Sequence, residues 1–181
     1  MRAFVLEMPK HWIEERRRLG HDKRDEVWDG VLHMVPTPGT THQTFSALLL
    51  RVLSPLAESR GLQMLFEINL LGAAGWDDYR VPDLVIFDPR HTSERGIEQR
   101  AEVVIEILSP NDESRDKLPF YASCGIPEVW LIDPKTRALE ILSLTDQYST
   151  PGTESAVLGI RFSVSAGPKL RLEWPGGSTE I

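Results

Sequence analysis

An α/β (α+β) fold, a mixed central β-sheet flanked by helices with an extra N-terminal hairpin and C-terminal strands, is predicted by three features of the chain. Residues 63 to 108 contain three strand-like apolar runs, QMLFEINLL, YRVPDLVIF and EVVIEIL. Ahead of them, Phe45, Leu48, Leu49, Val52, Leu53 and Leu56 recur at helical spacing, the clearest period in the sequence. Behind them, a helix-compatible stretch separates EVVIEIL from EVWLID. A helix between two such strands implies a right-handed crossover to a parallel neighbour.

The 181 residues suit one domain, read as an N-terminal helix and hairpin (1–40), a core (41–135), C-terminal strands (136–175) and a tail (176–181). An apolar fraction of 41% and a charged fraction of 26% belong to a soluble globular protein. The net charge of -7 argues against a protein held to nucleic acid by an overall positive field. It leaves room for a local basic groove, or for an acidic site that requires a divalent metal before phosphate can approach. The one cysteine, Cys124, cannot form an intrachain disulfide, and MRAFVLEMPK lacks the basic start and long apolar core of a signal peptide. A cytoplasmic location without membrane association is therefore expected. The apolar runs are far shorter than the roughly twenty residues of a membrane helix.

Taken in order, residues 9 to 19 suit a short helix with Pro9 in its first turn and Gly20 as its stop. Its charged run, Glu14 to Arg18, reads as a solvated face. In DEVWDGVLHMV, Asp29 and Gly30 mark a tight hairpin. Thr40 with Gln43 fits a capping box at the start of the long helix, which Pro55 should kink or end early before Gly61. GAAGWDD reads as a turn, and PRHTSERGIEQR as a long mobile loop. DESRDKLPFYASCG reads as a helix ending at Gly125, tolerating Pro119 only near its start. EVWLID is apolar enough for a central strand covered on both faces. Residues 137–144, 156–165 and 168–174 are further strand candidates, joined by turns such as STPGT. The tail PGGSTEI is expected to be disordered.

Asp83 and Glu106 each interrupt an apolar strand where a core residue is expected. An unpaired ionised carboxylate costs several kcal/mol or more to bury, so each requires a cation, a set of donors or water. On neighbouring strands the two would converge, and at about 4 Å with an effective dielectric near 20 they would repel by roughly 4 kcal/mol. Two neutralisers are available. One is Lys117, in the first turns of the following helix. The other is Mg2+ or Mn2+ held by Asp83, Glu106 and the carbonyl of Ile107, an oxygen-rich set suited to a hard cation. Together these would form a hydrolytic site, with the cation acidifying a water and the lysine orienting the nucleophile and stabilising charge. The bland alternative is two structural acids paired with arginines at a sheet edge.

VPDLVIF, AEVVIEILSPNDESRD and KLPFYASCGIPEVWLIDP, with EVWDGVL near the start and His42 opening the long helix, resemble the Uma family of restriction-endonuclease-like proteins. That family lies within the PD-(D/E)XK nuclease superfamily, and the likeness spans roughly residues 24 to 145. It implies a restriction-endonuclease-like core and a metal-dependent phosphodiesterase site with Asp83 and Glu106 as ligands. The superfamily lysine ordinarily stands two residues after the second acid, a place held here by Leu108. The resemblance puts Lys117, four residues before Tyr121, in its stead. Glu26 and His42 match recurrent family positions as a further ligand or acid-base group; read locally, they are a hairpin acid and a first-turn histidine. Glu67 is a weaker candidate of the same kind. Tyr121 reads as packing, Cys124 as a small buried hydrophobe, and the other histidines show no metal-ligand spacing.

The function expected is that of a Mg2+- or Mn2+-dependent endonuclease hydrolysing phosphodiester bonds, with DNA as substrate and a homo-oligomer, dimer or higher, as its assembly. The alternative is a non-catalytic binding module that keeps the nuclease fold and acts through a protein or nucleic-acid partner.

Overall fold

The computed structural model describes residues 10–20, 22–110, 112–144 and 152–181. Pro9, His21 and most of the STPGT turn lie outside them. Helix α1 (Lys10–Leu19) buries no residue, and Gly20 ends it at φ 68°. Asp29 and Gly30, at φ 49° and 81°, make the tight turn between strands β1 (Glu26–Trp28) and β2 (Val31–His33).

Helix α2 (Thr40–Glu58) lays Phe45, Leu49, Leu53 and Ala57 into the core. The capping box does not form. Gly39 is the N-cap without a side-chain bond, and Gln43 Nε2 donates instead to Glu67 Oε1 at 2.8 Å. Nor does Pro55 end the helix early. It stands in the last turn, where its missing N–H deprives only the Arg51 carbonyl of a donor, and the Ser59 N–H donates back to the Pro55 carbonyl.

QMLFEINLL is two strands rather than one. Glu67 takes φ 50°, which turns the chain out of the extended region after β3 (Gln63–Phe66) and sends β4 (Leu70–Gly72) into a second sheet. YRVPDLVIF divides likewise at Pro82, separating β5 (Gly75–Arg80) from β6 (Leu84–Phe87). GAAGWDD is thus mostly strand, the start of β5 in a hairpin with β4. The expected loop at 89–100 is a short 3-10 turn followed by β7 (Thr92–Ser93) and β8 (Gly96–Glu98). There β8 pairs parallel to β4, and the backbones approach so closely that a Cβ on Gly96 would meet the Asn69 carbonyl at 2.3 Å.

The central sheet adds β9 (Val103–Ile107), β10 (Glu128–Ile132) and β11 (Leu139–Ser143), in the order β11-β10-β9-β6-β3. As the sequence predicts, β3, β6 and β9 form an antiparallel meander, and β10 runs parallel to β9. The connection between them is a 3-10 turn, Ser114–Lys117, leading into the short helix α3 (Leu118–Ser123) with Pro119 in its first turn. One face of the sheet packs Leu84, Ile86 and Ile105 against α2. The other packs Val85, Phe87 and Val104 against Leu118, Phe120 and Tyr121.

A third sheet follows: β12 (Glu154–Ser155), β13 (Ile160–Ser165), β14 (Lys169–Trp174) and β15 (Gly177–Glu180). The tail is therefore a paired strand. Its hairpin with β14 seats Gly177 where an added Cβ would touch the Trp174 ring at 2.9 Å. Glu128, buried at the start of β10, accepts from Ser155 Oγ at 2.8 Å and the Val157 N–H at 3.0 Å, tying this sheet to the central one. No helix among the described residues is long and apolar enough to cross a membrane.

Candidate functional site

The antiparallel register that pairs Leu84 with Ile105 sets Asp83 opposite Glu106 at the next position. Both carboxylates therefore emerge at the same end of adjacent strands. Asp83 Oδ2 accepts the Ile107 N–H at 2.7 Å and meets His42 Nε2 at 3.1 Å. Burial alone would lower the His42 pKa, but the hydrogen bond and charge of Asp83, together with the Ile107 carbonyl, raise it. Its Nδ1 is buried without a hydrogen-bond partner.

Glu106 is 3% exposed and accepts from Lys117 Nζ at 3.1 Å and from the Tyr121 hydroxyl, both on Oε1. Burial pushes its pKa up to about 7; Lys117 opposes this and Asp83 adds to it. Lys117 caps α3 and also reaches Glu26 Oε1 at 2.9 Å. Burial would lower the lysine, yet Glu106 and Glu26 outweigh it and hold the ammonium above its ordinary value. Glu26, buried in turn, accepts the Val81 N–H at 2.8 Å and Trp28 Nε1 at 2.7 Å. Tyr121 is raised well above its ordinary value by burial and by Glu106, so it stays a donor.

Glu26, His42, Asp83, Glu106 and Lys117, all candidates from the sequence, thus meet at one place. Glu67 lines the same cleft but is engaged by Arg24 and Gln43. Tyr121 packs in the core, as the sequence predicts, and in addition donates its hydroxyl to Glu106. The four-residue spacing from Lys117 is the signal for it, since one helical turn brings both side chains to the same side. Leu108, in the ordinary lysine position, donates its N–H to the Ile132 carbonyl and packs at the edge of the core. Cys124 is buried as expected, its thiol pushed up to about 11.

Among the described residues, no three His, Cys, Asp or Glu side chains gather as a metal-binding group. The oxygens nonetheless suit a hydrated hard cation. Both hydrogen bonds to Glu106 fall on Oε1 and both to Asp83 on Oδ2, leaving Oε2 and Oδ1 for a cation or water. Two carboxylate oxygens and the Ile107 carbonyl, completed by waters or phosphate oxygens, match what Mg2+ or Mn2+ accepts. The surrounding cleft, about 1270 Å³, exceeds an ordinary small-molecule pocket. Seven acids line it against three lysines and arginines.

A family model described as "Uma2: Putative restriction endonuclease" matches residues 10–165. Among solved structures, the chain is similar to the "crystal structure of a putative nuclease belonging to DUF820" from Anabaena variabilis. The two share 20% identity over 72% of this chain and 78% of that one, with a TM-score of 0.57. The chain is also similar, at 18% identity over 63% of its length and 10% of the other chain, to the "cryoEM structure DrdV-DNA complex". A TM-score of 0.39 makes that likeness too slight to argue from. No curated protein matches the chain. The first of these structures shows the fold, a restriction-endonuclease-like α/β core.

Proposed function

The chain belongs to the Uma2 family, and from that premise we propose that it is a divalent-metal-dependent nuclease hydrolysing phosphodiester bonds in DNA. The observation that carries this reading is the facing pair Asp83 and Glu106, each with one oxygen anchored and one left over, beside the Lys117 ammonium. Asp83, Glu106 and the Ile107 carbonyl would hold Mg2+ or Mn2+, which when bound supplies Lewis acidity and an acidified water.

The chain's own groups have separable tasks. Lys117, held protonated between Glu26 and Glu106, is a fixed positive charge rather than a base, and so stabilises charge that develops on a phosphate. His42 and the Ile107 N–H orient Asp83; Tyr121 orients Glu106. The acidic lining repels phosphate until a cation binds, which couples substrate entry to the metal. A protein of this size that cuts both strands of a duplex would work as a homo-oligomer.

The test is incubation of the protein with single- and double-stranded DNA and RNA, with and without Mn2+, beside Glu106→Ala. Mn2+-dependent cleavage absent from the variant is expected. A second reading, a binding module without catalysis, is favoured by one observation: Lys117 and Tyr121 already occupy Glu106 Oε1. It predicts nucleic-acid or protein binding with no cleavage under any cation.

A further inference from the structure

Four planar groups follow one another from the core to the cleft wall. The Arg80 guanidinium lies 4.1 Å from the Phe120 ring centre and 4.7 Å from that of Trp28, and His33 stacks on Trp28 at 4.0 Å with 11° between planes. The inner members are held by hydrogen bonds. Arg80 is 4% exposed, with Nη1 held by the Val27 carbonyl and Asp78 Oδ1, both at 2.8 Å, and Trp28 is anchored through its indole N–H on Glu26. Trp28 and His33 line the cleft that contains Asp83 and Glu106. Leu32 and Met34 also line the cleft, 43% and 40% exposed, but strand alternation turns Leu32 to the face opposite His33.

A wall of this kind suits base faces rather than phosphates. Duplex DNA is held mainly through its phosphates, which requires arginines and lysines along both strands. This cleft is short of them: of the three that line it among the described residues, Lys117 is locked between Glu26 and Glu106 and Arg24 is engaged by Glu67, which leaves Lys135 alone. A single strand presents its bases to aromatic and apolar side chains, and stacking holds them without regard to sequence. We infer that the outer face of His33, backed by Trp28, forms a base-stacking surface, and that DNA enters the cleft as a single-stranded segment with its bases unstacked. This rests on the nuclease reading and narrows its substrate to a free strand, flap or frayed end.

The experiment is equilibrium binding of a short fluorescent DNA strand, and of the same sequence as a blunt duplex, with Ca2+ as the cation so that no cleavage is needed. The strand should bind about tenfold more tightly than the duplex. His33→Ala should weaken strand binding about tenfold and His33→Phe should restore it. An abasic strand should be insensitive to both changes. Duplex affinity equal to or above that of the strand overturns the inference, as does binding of neither. So does strand affinity unchanged in a folded His33→Ala protein, or variants that alter only its sedimentation, which would mark the wall as a self-association face. Mn2+-dependent cleavage of duplex without strand preference would sink the inference and leave the nuclease reading intact. Strand binding as described, with no cleavage under Mn2+, would sink the nuclease reading alone.

Discussion

Lys117 Nζ stands 3.1 Å from Glu106 Oε1, with the lysine 12% exposed and the glutamate 3%. Such a pair is expensive to desolvate and more expensive to break, since removing one partner strands the other. Lys117→Ala leaves both Glu106 and Glu26 without their cation and should cost about 3 to 5 kcal/mol in urea denaturation of the metal-free protein. Lys117→Met combined with Glu26→Gln and Glu106→Gln should recover most of that loss.

Glu106 governs the pH dependence of the metal-free protein. Its pKa rises from the usual 4.5 to about 7 on folding, so the folded state holds the proton more tightly than the unfolded chain does. Its contribution is therefore greatest below pH 4.5 and is lost as pH climbs through about 7, at most about 3 kcal/mol in all. His42, also raised, acts in the same direction: its stabilisation is present below pH 6.5 and lost as pH rises. Lys117, raised too, loses its contribution only in strong alkali and leaves this window untouched. Stability should fall as pH rises from about 5 to 8, above the range where acids with lowered pKa such as Glu98 and Asp133 act in the opposite sense, and Glu106→Gln should flatten most of that slope.

Tyr121→Phe removes one donor to Glu106 while keeping the ring in the core. A loss of about 1 to 3 kcal/mol is expected. That bond favours the ionised carboxylate, so the variant's Glu106 should titrate higher than the wild type's. Carboxyl-labelled NMR titration distinguishes this from simple loss of packing, which would leave the titration in place.

Much of this arrangement was legible in the sequence. The meander, the parallel fourth strand and the convergence of Asp83 with Glu106 follow from apolar periodicity and strand alternation, which depend on residues near in sequence; Lys117, on the following helix, is one of two neutralisers that the sequence leaves open. What escaped depends on backbone angles and on distant partners. Glu67 at φ 50° divides a continuous apolar run, and no composition signal marks a non-glycine residue there. Gln43 satisfies Glu67 rather than its own helix end, because a carboxylate 24 residues away competes for its amide. The tail pairs because β14 offers it an edge. Tyr121 serves both packing and hydrogen bonding, and its position shows only the first until Glu106 is placed beside it.

His42→Ala should reveal how far Asp83 relies on its partner. The Ile107 N–H still fixes Asp83 Oδ2, so the fold should survive. Cation affinity should nonetheless fall about 10- to 100-fold, the usual effect of losing an outer-shell partner. Titration with Mn2+ followed by calorimetry reads it directly, and unchanged affinity would confine His42 to the helix start.

The central claim is that Asp83 and Glu106 hold a divalent cation together. Mn2+ titration of the wild type, Asp83→Ala and Glu106→Ala, followed by electron paramagnetic resonance of free Mn2+, tests it most directly. Wild-type binding of one Mn2+ per chain, tightening as pH rises through about 7 and weakened more than about tenfold in either variant, is the predicted result. A folded wild type that binds no Mn2+ at millimolar concentration, or variants that bind it equally well, would contradict the account.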